Sequence, residues 1–234
     1  FAKGRDRASG DYNTFWAARD LLKKVGRIKA AVLMAHAFND WNVVPEHSVR
    51  IVAALKGKVP LQMYFHQGGH GGAPPMEMMN RWFTRYLYGV QNGVEKDPRA
   101  WIVREADPVP AATPDAPATQ PAAAGQGRGR APTPPPTPYA DYPNPGASPV
   151  MLRLRPGGGT RGGLTLESGG KPGIETLVDN VEFSGAVLAK AEQSSNRLLY
   201  ATPELAAPLH ISGTARITVR LASSKPAANL SVWL

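Results

Sequence analysis

At 234 residues and 42% apolar content, the chain is long enough to bury one large core or two modest ones. Having no cysteine excludes disulfides, a thiol nucleophile and thiolate metal sites, and no apolar run approaches the roughly 18 residues of a membrane-spanning helix. The net charge of +9 comes from 27 basic and 18 acidic residues that are scattered rather than clustered, which reads as solvated surface and not as a nucleic-acid interface.

Residues 1–29 are polar, with Tyr12, Phe15, Trp16, Leu21 and Leu22 spaced as one helical face. An unbroken apolar run follows, Ala31-Val32-Leu33-Met34-Ala35, leaving through His36-Ala37-Phe38-Asn39-Asp40-Trp41-Asn42-Val43. Pro45 suits a first helical position and Glu46 the positive end of the dipole, so a helix is predicted to run to Lys56 and stop at Gly57. A second apolar run, Leu61 to Phe65, ends in His66-Gln67-Gly68-Gly69-His70. After the loop Gly71 to Pro75, an amphipathic helix is expected to turn Met79, Trp82, Phe83, Tyr86 and Leu87 to the core, with Gly89 closing it.

Short apolar runs bounded by turns and alternating with helices predict parallel strands buried on both faces. In such sheets chemistry sits just beyond the carboxyl ends of the strands. Asp40 and His70 both take that place, one strand apart, and are expected within hydrogen-bond reach. An acid that orients an imidazole and an imidazole that moves a proton are two thirds of a nucleophilic triad. In α/β-hydrolases a serine on a Gly-x-Ser-x-Gly turn precedes the acid and the histidine. No serine in this chain has that setting: Ser9 lies between Ala8 and Gly10 in a polar stretch, and Ser48 falls inside a predicted helix. The bland alternatives are a turn aspartate and an exposed loop histidine. The spacing of His66 and His70 matches a helical metal pair, but Gly68 and Gly69 oppose a helix there and no glutamate completes the pattern. His36, His47 and His210 read as structural or surface residues.

Beyond Pro98 the pattern changes. Ala100 to Val103 is short and β-prone, and from Asp107 to Pro138 the composition collapses into Pro, Ala, Thr, Gly and Gln. That stretch is expected to be a disordered, polyproline-like insertion. Short apolar stretches follow at Val150–Leu154, Gly163–Leu166, Leu198–Tyr200, Leu209–Ile211, Ala215–Leu221 and Leu230–Trp233. Arg216 to Leu221 alternates as a strand with one buried face should. Strands in succession without helices predict a β-sandwich. The chain opens without an initiator Met and closes on Ser231-Val232-Trp233-Leu234, and it is expected to be an internal piece of a longer polypeptide.

The segment Phe38 to Val43, the block His66-Gln67-Gly68-Gly69-His70-Gly71 and the interval between them resemble the X-prolyl dipeptidyl aminopeptidase family, whose relatives include cocaine-esterase-like hydrolases. Leu209 to Thr214 and Pro226 to Leu230 resemble that family's C-terminal β-sandwich, so the resemblance covers nearly the whole chain. It implies an α/β plus all-β protein: residues 1–95 as the C-terminal part of an α/β-hydrolase domain, with 1–29 the end of a helical cap, and residues 96–234 as a jelly-roll-like sandwich carrying the 107–138 insertion. It implies a serine exopeptidase releasing X-Pro dipeptides, with Asp40 and His70 catalytic, Asn42 and Val43 lining the proline pocket, and the serine upstream. The implied partners are a peptide with proline second and the upstream part of the polypeptide, with no cofactor, metal, nucleic acid or membrane. A homo-oligomer is compatible with this, and so is a cytoplasmic or a secreted location. Two other readings stay open: an acyl-ester or β-lactam-acyl hydrolase of the same superfamily, and a non-catalytic ligand-binding subunit.

Overall fold

In the computed structural model, which describes residues 4, 6, 11–105, 134–169, 173–226, 228 and 230–234, the two apolar runs form adjacent parallel strands. They are β1 (Val32–Ala37) and β2 (Leu61–His66), in register from Val32 opposite Leu61 to Ala37 opposite His66. A parallel pair needs a crossover, and α2 (Glu46–Leu55) supplies it, burying Ser48, Val52 and Leu55. Gly57 follows at φ +74°, the left-handed turn that lets the chain double back. A short β3 (Ala100–Ile102) extends the sheet parallel to β2. Then β4 (Thr137–Tyr139) adds antiparallel to β3, giving the order β1-β2-β3-β4.

This order explains the unequal burial of the two runs. Interior β2 is buried from Gln62 to His66, whereas β1, at the sheet edge among the described residues, is mostly half-buried. The core consists of Val52, Met63, Phe65, Ala100 and Ile102, with Met34, Phe38, Tyr139 and Tyr142 packed around it. Phe65 has no exposed surface and meets Phe38 edge-on at 5.2 Å between ring centroids.

The chain divides into two compact units, Phe1–Pro145 with Gly213–Leu234, and Gly146–Ser212. Within the first, the expected N-terminal helical face is broken in two. A single turn, α1 (Thr14–Ala17), starts where the Asn13 side chain accepts from the N–H groups of Phe15 and Trp16. A 3₁₀ helix over Leu21–Arg27 starts where Asp20 accepts from Leu22. Two Asx caps seven residues apart each begin a new element, which the spacing of the apolar residues could not reveal. In α3 (Met76–Tyr88) only Trp82 is buried, with Met79 and Tyr86 half-buried beside it and Phe83 and Leu87 exposed, so the packed stripe is narrower than expected. Most of the Pro-rich stretch, 107–133, lies outside the described residues. Its last residues are described, and there Thr137 and Pro138 belong to β4. Proline is tolerated in that strand because β4 is the last strand of the sheet among the described residues, where a missing N–H costs no ladder bond. Asp141, just beyond, pairs with Lys56 and with Arg99 at 2.5 Å, fastening this return of the chain to α2 and β3.

In the second unit β5 (Arg153–Leu154) pairs antiparallel with β6 (Gly162–Thr165), which pairs parallel with β7 (Tyr200–Ala201). A short α4 (Gly185–Lys190) precedes β7. Among the described residues of this unit no large apolar side chain is buried. Polar groups organise it instead. Arg197, 8% exposed, donates to the carbonyls of Gly158, Thr160, Leu188, Ala191 and Glu192. Glu175 accepts from the N–H groups of Gly157 and Gly158 and from the Tyr200 hydroxyl.

Three of the expected strands do not form as strands among the described residues: Leu209–Ile211, Ala215–Leu221 and Leu230–Trp233, where Ile217, Val219 and Leu221 are about half exposed. Alternation decides which face a strand would bury. A strand forms only where a neighbouring backbone completes its hydrogen bonds.

Candidate active site

Because β1 and β2 are parallel and in register, their loops leave the same edge of the sheet. The Phe38 N–H donates to the His66 carbonyl at 2.8 Å, carrying the pairing one step past the strand ends. Asn39 Nδ2 then donates to the Gln67 carbonyl at 2.8 Å and clips the two loops together. Gln67 Nε2 donates in turn to the Val103 carbonyl beyond β3 at 3.0 Å.

Within this frame His70 Nδ1 lies 2.9 Å from Asp40 Oδ2, across 30 residues of chain. Asp40 is 5% exposed. Its Oδ1 accepts from the backbone N–H groups of Asn42 and Val43, both at 2.9 Å, so the loop folds into a turn around its own carboxylate. The Val43 N–H is the chief cause holding this carboxyl down to about 2, with His70 and Asn42 adding and burial opposing. The group is therefore an anion at neutral pH. His70, with a side chain 62% exposed, presents its other ring nitrogen away from the carboxylate.

The loop that carries His70 is wound on a second imidazole. His66 Nδ1 accepts from the Gly68 N–H at 3.0 Å, and the ring stacks on Tyr64. Gly72, at φ +103°, lies so close that a Cβ there would sit 2.5 Å from His66 Nε2. Only glycine fits that place and that backbone angle together.

Of the residues singled out from sequence, Asp40 and His70 come together, and Asn42 and Val43 join them through backbone groups; the side chains of Asn42 and Val43 are exposed. Sequence reasoning read His36 as structural or surface and set Ser48 aside as a nucleophile, placing neither beside the acid. His36 Nε2 lies 3.3 Å from Asp40 Oδ2 and 2.8 Å from the Val43 carbonyl, and its Nδ1 lies 2.5 Å from Ser48 Oγ. The available signal was a histidine closing an otherwise apolar strand four residues before the acid. Among the described residues no group of three or more His, Cys, Asp or Glu side chains is arranged to hold a metal ion. A concavity of about 950 Å³ in the second unit, lined by Arg161, Thr165, Thr202 and Glu204 among others, brings no acid and imidazole together.

An α/β unit with a buried acid and an exposed imidazole at the carboxyl edge of parallel strands, joined to a unit with a small mixed sheet, defines the class. Two family models narrow it. The model for the X-Pro dipeptidyl-peptidase C-terminal non-catalytic domain matches residues 92–234, and that for X-Pro dipeptidyl-peptidase (S15 family) matches residues 2–72. The chain belongs to the X-Pro dipeptidyl-peptidase family. Over 98% of its length it is 53% identical to a Rhodopirellula baltica protein named "Putative Xaa-Pro dipeptidyl-peptidase", covering 33% of that protein. To the Xaa-Pro dipeptidyl-peptidase of Ligilactobacillus salivarius it is 39% identical over 40% of this chain and 13% of that one. The chain spans about a third of the length of the relatives it matches end to end.

Proposed function

We propose that this chain contributes the acid and the general base of a serine exopeptidase that releases X-Pro dipeptides from peptide N-termini, the serine lying on a preceding part of the polypeptide. The observation that carries the reading is the 2.9 Å contact between His70 Nδ1 and the ionised, turn-held Asp40. Asp40 accepts the Nδ1 hydrogen, which leaves the lone pair of His70 on Nε2. There it takes the proton of the serine hydroxyl as the oxygen attacks the proline carbonyl carbon. The tetrahedral intermediate collapses by breaking the peptide bond, and His70 returns the proton to the leaving amine. Water then attacks the acyl-enzyme with His70 again as base, freeing the dipeptide and the serine. The side chains of Asn42 and Val43, exposed beside the acid, line the proline pocket. Residues 1–95 belong to the catalytic α/β-hydrolase domain, and residues 96–234 to a jelly-roll-like sandwich domain whose first strands, β3 and β4, add to the α/β sheet.

The test is chemical completeness. Expressed alone, the chain should show no labelling by a fluorophosphonate and no hydrolysis above background. Extended upstream to include the nucleophile, it should label on a serine of that added part and cleave an X-Pro-anilide faster than a simple aryl ester. The reverse preference would favour an acyl-ester hydrolase. No labelling in the extended protein would leave a non-catalytic role.

A further inference from the structure

The carboxylate of Asp40 holds two imidazoles, and the reaction above uses one. His36, at the end of β1, has a side chain only 9% exposed and lies edge-on to Phe65, 6.4 Å between ring centroids. Its Nε2 faces two oxygens, the Val43 carbonyl at 2.8 Å and Asp40 Oδ2 at 3.3 Å. A carbonyl and a carboxylate are acceptors only, so Nε2 carries the hydrogen; it donates to the Val43 carbonyl, and Asp40 Oδ2 stands beside the same N–H at 3.3 Å. Nδ1 faces Ser48 Oγ at 2.5 Å, and Ser48 is itself buried in the first turn of α2. In the neutral ring Nδ1 is a lone pair, and the Ser48 hydroxyl is the donor placed to meet it.

The geometry points to His36 as a positioning residue for the catalytic acid: held in its Nε2–H tautomer by Ser48, it fixes the Asp40 oxygen that receives His70. This inference rests on the Asp40–His70 reading. Two backbone N–H groups secure Oδ1, but a carboxylate pinned at one oxygen can still rock about it. The His36 N–H edge, packed 3.3 Å from Oδ2 on the side of β1, restrains that rocking, and its hydrogen bond to the Val43 carbonyl closes the turn on itself. A histidine that only filled space would need neither nitrogen in a defined state.

The first measurement needs no catalysis. In the 234-residue chain labelled with ¹⁵N-histidine, ring-nitrogen shifts correlated from carbon-bound protons should place the His36 hydrogen on Nε2. A hydrogen on Nδ1 overturns the inference. The second uses the protein extended to include the nucleophile. His36→Leu should lower kcat on an X-Pro-anilide by roughly 10-fold, about 1.4 kcal/mol of lost support for the acid, with KM little changed. His36→Gln places an N–H near the lost Nε2–H and should recover most of that rate. Equal losses in the two variants, or a change confined to KM, would show packing alone. An Asp40→Asn enzyme that stays active would sink the acid–base reading and this inference with it. An inactive one, beside a His36 hydrogen found on Nδ1, would sink this inference only.

Discussion

Replacing Asp40 by asparagine tests the site at one atom. The wild-type carboxylate meets three hydrogen-bond partners, the N–H groups of Asn42 and Val43 at Oδ1 and His70 Nδ1 at Oδ2, with His36 Nε2 3.3 Å from Oδ2 as well. The amide oxygen of the introduced asparagine can keep the first two, so the loop should hold its turn and the protein its fold. The amide nitrogen then stands where Oδ2 was, and it has hydrogens but no lone pair to offer. His70 can bond it only by accepting at Nδ1, which moves the ring hydrogen to Nε2. In the proposed reaction that nitrogen receives the serine proton. The tautomer is inverted with the geometry intact, and in a triad this costs about 10⁴-fold in kcat. The assay is steady-state hydrolysis of an X-Pro-anilide by the protein carrying the nucleophile, normalised by active-site titration and accompanied by thermal unfolding. A loss of only a few-fold, with unchanged unfolding, would make Asp40 a turn residue and refute the assignment.

Asp40 also predicts a pH effect. Its carboxyl is lowered from 3.8 to about 2 on folding, so its contribution to stability is complete above the unfolded value and is lost as pH falls toward 2. Chemical unfolding midpoints should therefore drop between about pH 4.5 and 2, and less steeply in Asp40→Asn; parallel profiles would remove the claim. Gly72→Ala combines an unfavourable backbone angle with a Cβ 2.5 Å from His66 Nε2, and should cost about 2–4 kcal/mol in urea unfolding. Gly71→Ala, whose Cβ meets nothing within 4 Å, should cost less; equal losses would show that the His66 contact is unimportant. Arg197→Met strips a charged donor from five carbonyls of the second unit. It should cost about 3 kcal/mol, read as lost amide-exchange protection over residues 157–200, and protection unchanged there would mean the network does not organise that unit.

How much of this was written in the sequence depends on which physical effect decides each element. Leu61 to Phe65 could be read because an interior parallel strand must be apolar on both faces, and such a run is visible without knowing its neighbours. The end of α3 could be read from Gly89, which sits at φ +72° where a helix ends in the left-handed region. Residues 11–29 could not, because Asn13 and Asp20 decide that region through local caps, and caps leave no periodicity. Arg216 to Leu221 alternates well and still forms no strand, because its alternation says nothing about a partner backbone. The second unit was least legible of all. It rests on Arg197 and Glu175 reaching carbonyls and N–H groups far along the chain, and no local pattern announces a side chain that will be buried among backbone groups.

The Asp40–His70 pair was legible for a different reason, and the register of the sheet states it. Ala37 and His66 are opposite one another at the ends of their strands, so Asp40 stands three residues past one end and His70 four past the other. Nearly equal excursions from a common edge bring the two side chains together, provided the loops are clipped where they begin, as Asn39 does to Gln67. A slip of one residue in β1 against β2 would move one loop by a strand step of about 3.3 Å, more than the whole 2.9 Å contact. It would also turn the side chains of one strand to the opposite face and take Phe65 or Met34 out of the core. The packing of the apolar faces thus holds the hydrogen bond of the site in place. A core substitution that loosens that register, far from either residue, should act on the acid–imidazole distance before it acts on the fold.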